Sequence, residues 1–165
     1  DIMALEAVRL IGKSADALVS GIFTDTDREN LLIAASTGGM ALAYTGLNVV
    51  HAMGFQLTTR YNIPHGRANG SLLADFLFYA AKKTPMRAVQ ILDTFGCDLA
   101  AFKKFISSVI PTTETFDESE IKAWVDNSIV NTVIDSCPGG ITAEDETEIY
   151  INSLIKKRTK YSNWY

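Results

Sequence analysis

GMALAYTGLNVVHAMGFQL, residues Gly39 to Leu57, lies inside a run from Asn30 to Thr59 that contains no Asp, Glu, Lys or Arg. Ala, Gly, Ser and Thr crowd this stretch, and such small side chains let neighbouring helices come close. Its apolar spacing is helical, with no clean alternation of period two. The pattern predicts a helix from Gly38 to Leu57 that is apolar on nearly every side and therefore interior. The uncharged run is long enough to span a bilayer. However, Ser36, Thr37, Thr45, Asn48, His51, Gln56, Thr58 and Thr59 break it up and Gly38-Gly39 divides it, so a buried helical hairpin is the better reading.

Helical periodicity continues on both sides. Ile2, Leu5, Val8, Ile11, Ala15, Leu18 and Ile22 recur every three to four residues, which predicts a first helix from Asp1 to about Val19, stopped by Gly21. Asp25-Thr26-Asp27 can cap a second helix carrying Leu31, Leu32 and Ala35. Asn62 to Asn69 is a turn, because Pro64 bars a helix from passing through. Gly66 or Ala68 then starts an apolar helix with Leu72, Leu73, Phe76, Leu77 and Tyr79. Thr84-Pro85 opens Met86 to Phe95 with a hydroxyl cap before a proline at the first helical position. Gly96 closes that helix and Asp98 caps the next, which puts Leu99, Phe102, Phe105, Ile106 and Val109 on one face. Pro111 to Thr113 is a loop. Asp117 with Glu120, and Thr142 with Asp145, resemble capping boxes for the last helices, and Cys137-Pro138-Gly139-Gly140 is the turn between them. The expected fold is all-α: a single domain over residues 1–165, an orthogonal or antiparallel bundle of about eight helices.

Composition excludes several classes of function. With 165 residues, 47 % of them hydrophobic, the chain supports one globular core. A net charge of −4 lacks the basic footprint of a nucleic-acid binder. Cys97 and Cys137 are too few for a disulfide framework, which points to a reduced, cytoplasmic setting. Lys156-Lys157-Arg158 fits a helix C-terminus, where positive charge complements the macrodipole, better than a basic tail binding through Tyr161, Trp164 and Tyr165. The chain opens at Asp1 directly in an amphipathic pattern, without Met and without a signal peptide, and reads as a piece of something longer.

His51 and His65, the only two histidines, stand fourteen residues apart. Imidazole is both a proton switch and the commonest metal ligand. On a helix, Leu47, His51 and Phe55 share one face, while Pro64-His65-Gly66 at a helix entrance turns the second ring back towards the first. The spacing leaves two readings open: a pair converging on one ion, or two core histidines bonded to backbone carbonyls. Catalytic zinc takes three protein ligands plus water, and iron(II) takes imidazole and carboxylate, so the pair alone is incomplete. Asp75, the nearest downstream carboxylate, sits on a separate apolar helix. Cys137 has no histidine near it in sequence, and a small pocket-lining residue is a better reading than a nucleophile.

Gly39 to Leu57, followed by YNIPHGRANG over Tyr61 to Gly70, resembles the signature of the iron-containing (group III) alcohol dehydrogenases: a Gly-Met-Ala opening, a His-Ala-Met core and a Pro-His-Gly fourteen residues on. The Thr142-Ala143-Glu144-Asp145 helix start and Ile149-Tyr150 are also similar to that family, and the resemblance runs across essentially the whole chain. It implies the helical domain of a dehydroquinate synthase-like fold, preceded in the whole protein by a Rossmann-like domain that carries NAD or NADP. It implies Fe(2+), or in some members Zn(2+), held by one Asp and three His, with His51 and His65 as the last two ligands. The first two would lie upstream, so this domain alone is expected to be inactive and to bind metal weakly. Many members have a second histidine four residues after the first; Phe55 stands there, leaving only apolar packing against the cofactor. Leu42 occupies a position that is often aromatic, and Cys137 matches a pocket cysteine of some members without the Asn-Pro-Arg that often follows; both are expected to shape the substrate pocket. The implied reaction is interconversion of a small alcohol and aldehyde, with no membrane or nucleic-acid partner and with a homo-oligomer as a further expectation. A lyase or metal-free reductase of the same fold, and a non-enzymatic helical interaction domain, are the alternatives.

Overall fold

The computed structural model describes residues 1–129, 137 and 139–155, and every regular element among them is helical. These are α1 (Ile2–Lys13), α2 (Ala15–Ser20), α3 (Asp25–Thr45), α4 (Val49–Tyr61), α5 (His65–Lys83), α6 (Pro85–Phe95), α7 (Leu99–Val109), α8 (Ile121–Ser128) and α9 (Ala143–Tyr150). A 3₁₀ turn, Glu118–Glu120, leads into α8, and a π-helical turn, Ile151–Ile155, continues α9. The all-α expectation holds. The basic Lys156-Lys157-Arg158 cluster and the aromatic tail lie outside the described residues.

Local chemistry sets several boundaries where the sequence placed them. Pro85 occupies the first turn of α6, and Gly96 ends that helix at φ 93°. The Asp98 carboxylate accepts the Ala101 N–H at 2.7 Å and caps α7. Thr142 and Asp145 form the reciprocal capping box of α9. Asp117 behaves differently from its expected pairing with Glu120. Its carboxylate accepts the Ser119 N–H at 2.8 Å and opens the 3₁₀ turn, while Glu120 accepts the Tyr61 hydroxyl.

Four boundaries differ from expectation. Helix α5 starts at His65, inside the expected Asn62–Asn69 turn and before Gly66 or Ala68, because the chain can enter a helix directly after Pro64. The first helix breaks at Ser14, which is fully buried, with its hydroxyl facing the Asn30 amide of α3 at 3.5 Å. The next helix starts one residue earlier than expected: Thr24 is its N-cap, boxed with Asp27. That helix also runs straight through Gly38-Gly39 to Thr45, and the division comes at Gly46, at φ 74°. Two interior glycines cost a helix roughly 1 kcal/mol each, an amount that the capping box and packing on α1 outweigh. Asn48 then starts α4 by accepting the Val50 N–H at 3.1 Å. The expected Gly38–Leu57 helix is therefore two helices, and only the second is interior. In α4, Val49, Val50, Met53 and Leu57 are buried, whereas Met40, Leu42 and Tyr44 of α3 are exposed.

The main core gathers α4 and α5 against α8, α9 and the π turn, with Trp124, Tyr150, Met53, Leu57 and Leu72 fully enclosed or nearly so. A second cluster joins α5, α6 and α7 through Leu77, Leu92, Phe102 and Ile106, and a small third one joins α1 to α3 through Ala7, Leu10 and Ala34. Gly12 permits a close approach of α1 to α6, since a Cβ there would meet the Phe95 carbonyl oxygen at 2.2 Å. Among the described residues no helix is long and apolar enough to cross a membrane.

Candidate metal centre

His51 lies in the first turn of α4 and His65 is the first residue of α5. The connection between them is short and rigid. Asn62 closes α4 in the left-handed conformation at φ 53°, which asparagine tolerates better than most side chains. Ile63 is buried in the main core, and Pro64 caps α5. This hairpin reverses the chain and returns His65 to His51, with ring centroids 5.5 Å apart and planes inclined at 49°. The fourteen-residue spacing left open whether the two rings come together; in three dimensions they lie side by side.

His51 is half-buried and its Nδ1 has no hydrogen-bond partner. The expected alternative, a core histidine bonded through both ring nitrogens to carbonyls, does not describe it. Burial, and then repulsion by His65, hold its pKa below the usual imidazole value. A ring kept neutral presents a lone pair, the form that binds a metal. His65 is exposed, and its Nε2 lies 3.1 Å from the Asn69 amide nitrogen. With the amide nitrogen donating, Nε2 accepts and the ring proton sits on Nδ1. Turning the amide over reverses both roles. Asn69 is thus the neighbour that selects the His65 tautomer. It packs on Gly54, where a Cβ would lie 1.8 Å from the Asn69 Oδ1.

Two adjacent imidazoles, one with an orphaned buried nitrogen, fit an Fe(2+) or Zn(2+) ion as part of its ligand set. Among the described residues no group of three His, Cys, Asp or Glu comes together. Asp75 is elsewhere: largely buried between α5, α7 and the π turn, it accepts from Lys103 Nζ at 2.7 and 2.9 Å and from the Ser153 hydroxyl at 3.0 Å.

The histidines open on a cleft of about 670 Å³. Along α4, His51, Phe55 and Thr59 follow at four-residue intervals, flanked by Ala52, Gln56 and Arg60; Leu47, His65 and Asn127 complete the lining. Phe55 is 56 % exposed and forms an apolar wall one turn from His51. Leu42 is exposed on α3 and is not among the lining residues; Leu47, after the Gly46 break, lines the cleft. Cys137 is buried in the main core, its sulfur accepting the Val49 N–H at the start of α4. Burial pushes its thiol pKa up, which disfavours a thiolate. Sequence reasoning did not single out Gln56, Thr59, Arg60, Asn69 or Asn127. The helical period from His51 could have found Thr59 and Arg60, but Asn127 enters the cleft only through the packing of α8 on α4.

Comparison with known proteins accords with this geometry. Residues 1–153 match the family described as Fe-containing alcohol dehydrogenase family, C-terminal. A probable alcohol dehydrogenase of Salmonella typhimurium is 41 % identical over 73 residues, which is 44 % of this chain and 18 % of that protein. The 1,3-propanediol dehydrogenase of Klebsiella pneumoniae is 34 % identical over 96 residues, or 58 % of this chain and 25 % of that protein. An iron-containing alcohol dehydrogenase from Thermotoga maritima superposes with a TM-score of 0.80 at 27 % identity, covering 93 % of this chain and 42 % of that one. This chain therefore spans less than half the length of the proteins it matches. It belongs to the iron-containing alcohol dehydrogenase family and is a C-terminal helical domain of that family.

Proposed function

We propose that this domain contributes His51 and His65 to an Fe(2+) or Zn(2+) site in an NAD- or NADP-dependent dehydrogenase that interconverts a small alcohol and its aldehyde. The convergence of the two rings at 5.5 Å, beside a cleft, is the observation that carries this reading. The other two ligands, one Asp and one His, are assigned to a metal-ligand helix upstream of this stretch, and the dinucleotide to a Rossmann-like domain that accompanies it. When bound, the ion supplies Lewis acidity at the substrate oxygen and the dinucleotide accepts or returns hydride. Partial burial favours the neutral form of His51, the form with a lone pair to offer. Phe55 carries no proton and provides an apolar wall beside the reacting carbon. Leu42 and Cys137 are not among the described residues that line the cleft; Cys137 is assigned an indirect part in shaping it, through its hold on the first residue of α4. The free thiols of Cys97 and Cys137 support a reduced, cytoplasmic setting.

The test is metal content and alcohol oxidation of the dehydrogenase carrying this domain, with His51→Ala and His65→Ala compared with the parent. Each variant is expected to lose most of its metal and its NAD(P)-linked activity while keeping its helical circular dichroism. Unchanged metal content in both would refute the ligand assignment and favour the interaction-domain alternative.

A further inference from the structure

Arg60 stands in the same cleft as the histidine pair, and its surroundings differ from those of the other arginines at described positions. Arg9 holds Glu6, Arg67 holds Glu114 and Arg87 holds Asp1, each through an ion pair of 2.9 Å or less. Arg28 lies over the Phe23 ring. Arg60 has no carboxylate partner among the described residues; its Nε donates to the Gln56 Oε1 at 3.4 Å. Among the described residues no Asp or Glu lines the cleft. Apart from Arg60 and the two histidines, the described lining residues are uncharged, the polar Gln56, Thr59 and Asn127 among them.

A guanidinium is always charged and offers a fork of N–H donors matched to carboxylate or phosphate oxygens. Placed in a cleft with no acid among its described lining residues, it makes that end attractive to an anion. Arg60 is nine residues beyond His51, so their backbones are separated by roughly 13 Å along α4. A molecule seated at the histidines must extend along the helix to reach it. We infer that the far end of this cleft is an anion subsite, with Arg60 as the counter-ion and Gln56 holding its side chain, for a molecule whose reacting end lies at His51 and His65. The inference rests on the dehydrogenase reading for the identity of the reacting end, but not for the anion subsite itself. The anionic group has two sources: a carboxylate at the far end of an aldehyde substrate, or a phosphate of the dinucleotide.

Equilibrium binding of succinate and of inorganic pyrophosphate to the dehydrogenase carrying this domain decides the subsite. Arg60→Gln is expected to weaken at least one probe about tenfold or more, the scale of losing a charge-assisted hydrogen bond. Arg60→Lys, which keeps the charge and loses the fork, should fall between. Equal binding by parent and Arg60→Gln for both probes, with both proteins folded by circular dichroism, overturns the inference. Steady-state reduction of butanal and of succinic semialdehyde then identifies the source. A fall of about tenfold in the semialdehyde-to-butanal ratio of kcat/KM on Arg60→Gln assigns the subsite to the substrate. An unchanged ratio with a raised KM for the reduced dinucleotide assigns it to the cofactor phosphate. Failure to reduce either aldehyde refutes the dehydrogenase reading and leaves the binding measurement to decide the subsite.

Discussion

The Tyr150 hydroxyl donates to the Met53 carbonyl at 2.8 Å, joining two helices whose contacting residues are 97 positions apart. Met53 is two residues beyond His51, so the last α-helix is fastened to the stretch of α4 that carries the first histidine. Trp124 packs edge-on against the Tyr150 ring at 5.4 Å and is itself fully buried. The position of His51 is therefore set by residues from the far end of the chain as well as by its own helix.

Tyr150→Phe keeps the ring and removes the donor, while the Met53 carbonyl retains its place in the α-helix. The expected loss is about 1 kcal/mol. Urea denaturation should show a lower midpoint with an unchanged slope. A changed slope would mean that the native state itself had loosened.

Glu146 is fully buried, and the Ser128 hydroxyl donates to its Oε2 while Oε1 has no partner. Burial pushes its carboxyl up to about 7 from an ordinary 4.5. Between those two values the folded chain keeps a proton that the unfolded chain releases. Stability is therefore expected to fall as pH rises from about 4.5 to about 7 and then to level off. The loss from this group is on the order of 3 kcal/mol. Thermal melts across that range should show the decline in the parent and a flatter profile in Glu146→Gln. Parallel profiles would show that Glu146 does not titrate in this window.

Gly54→Ala places a methyl group 1.8 Å from the Asn69 side-chain oxygen and 3.2 Å from the Asn69 backbone nitrogen. Asn69 cannot keep its place, and α4 and α5 must separate locally. Overpacking of this kind costs about 1–3 kcal/mol. Imidazole resonances of His65 should shift, because Asn69 is its hydrogen-bond neighbour. An unaltered His65 spectrum would rule out this coupling.

Lys103 and Asp75 form a largely buried ion pair at 2.7 Å, with the lysine side chain 13 % and the aspartate 3 % exposed. Lys103→Met leaves the Asp75 charge buried without its counter-ion and is expected to cost about 3–5 kcal/mol. Pairing it with Asp75→Leu should recover much of that loss, since an apolar pair of similar volume is often no less stable. The double-mutant cycle in chemical denaturation measures the coupling; strictly additive losses would deny it.

Much of the fold was legible because many helix ends are decided within four residues. Pro85, Gly96, Asp98 and the Thr142–Asp145 box act within their own turns, so neighbouring sequence is enough to place them, although the Thr84 hydroxyl donates to the Ala80 carbonyl of α5 instead of capping α6. The Gly46 break was also written locally, as a glycine C-cap two residues before an asparagine N-cap; Gly38-Gly39 drew the boundary to the wrong glycines. The break at Ser14 was not legible, because it goes with the packing of Ser14 against Asn30 sixteen residues away. The exposure of Met40 and Tyr44 was not legible either. Apolar composition states what a surface favours, and only tertiary structure states what lies against it.

By itself, the sequence determined that this chain is helical, that its histidines stand at either side of a Pro-closed turn, and which family the Gly39–Gly70 signature resembles. Tertiary structure decided that the two rings meet, that Asp75 is held by Lys103 instead of joining them, and that Arg60 shares their cleft without a carboxylate among the described lining residues. The division follows from range. Capping and turn chemistry act between near neighbours, whereas burial, desolvation and the pairing of charges depend on which helices pack together.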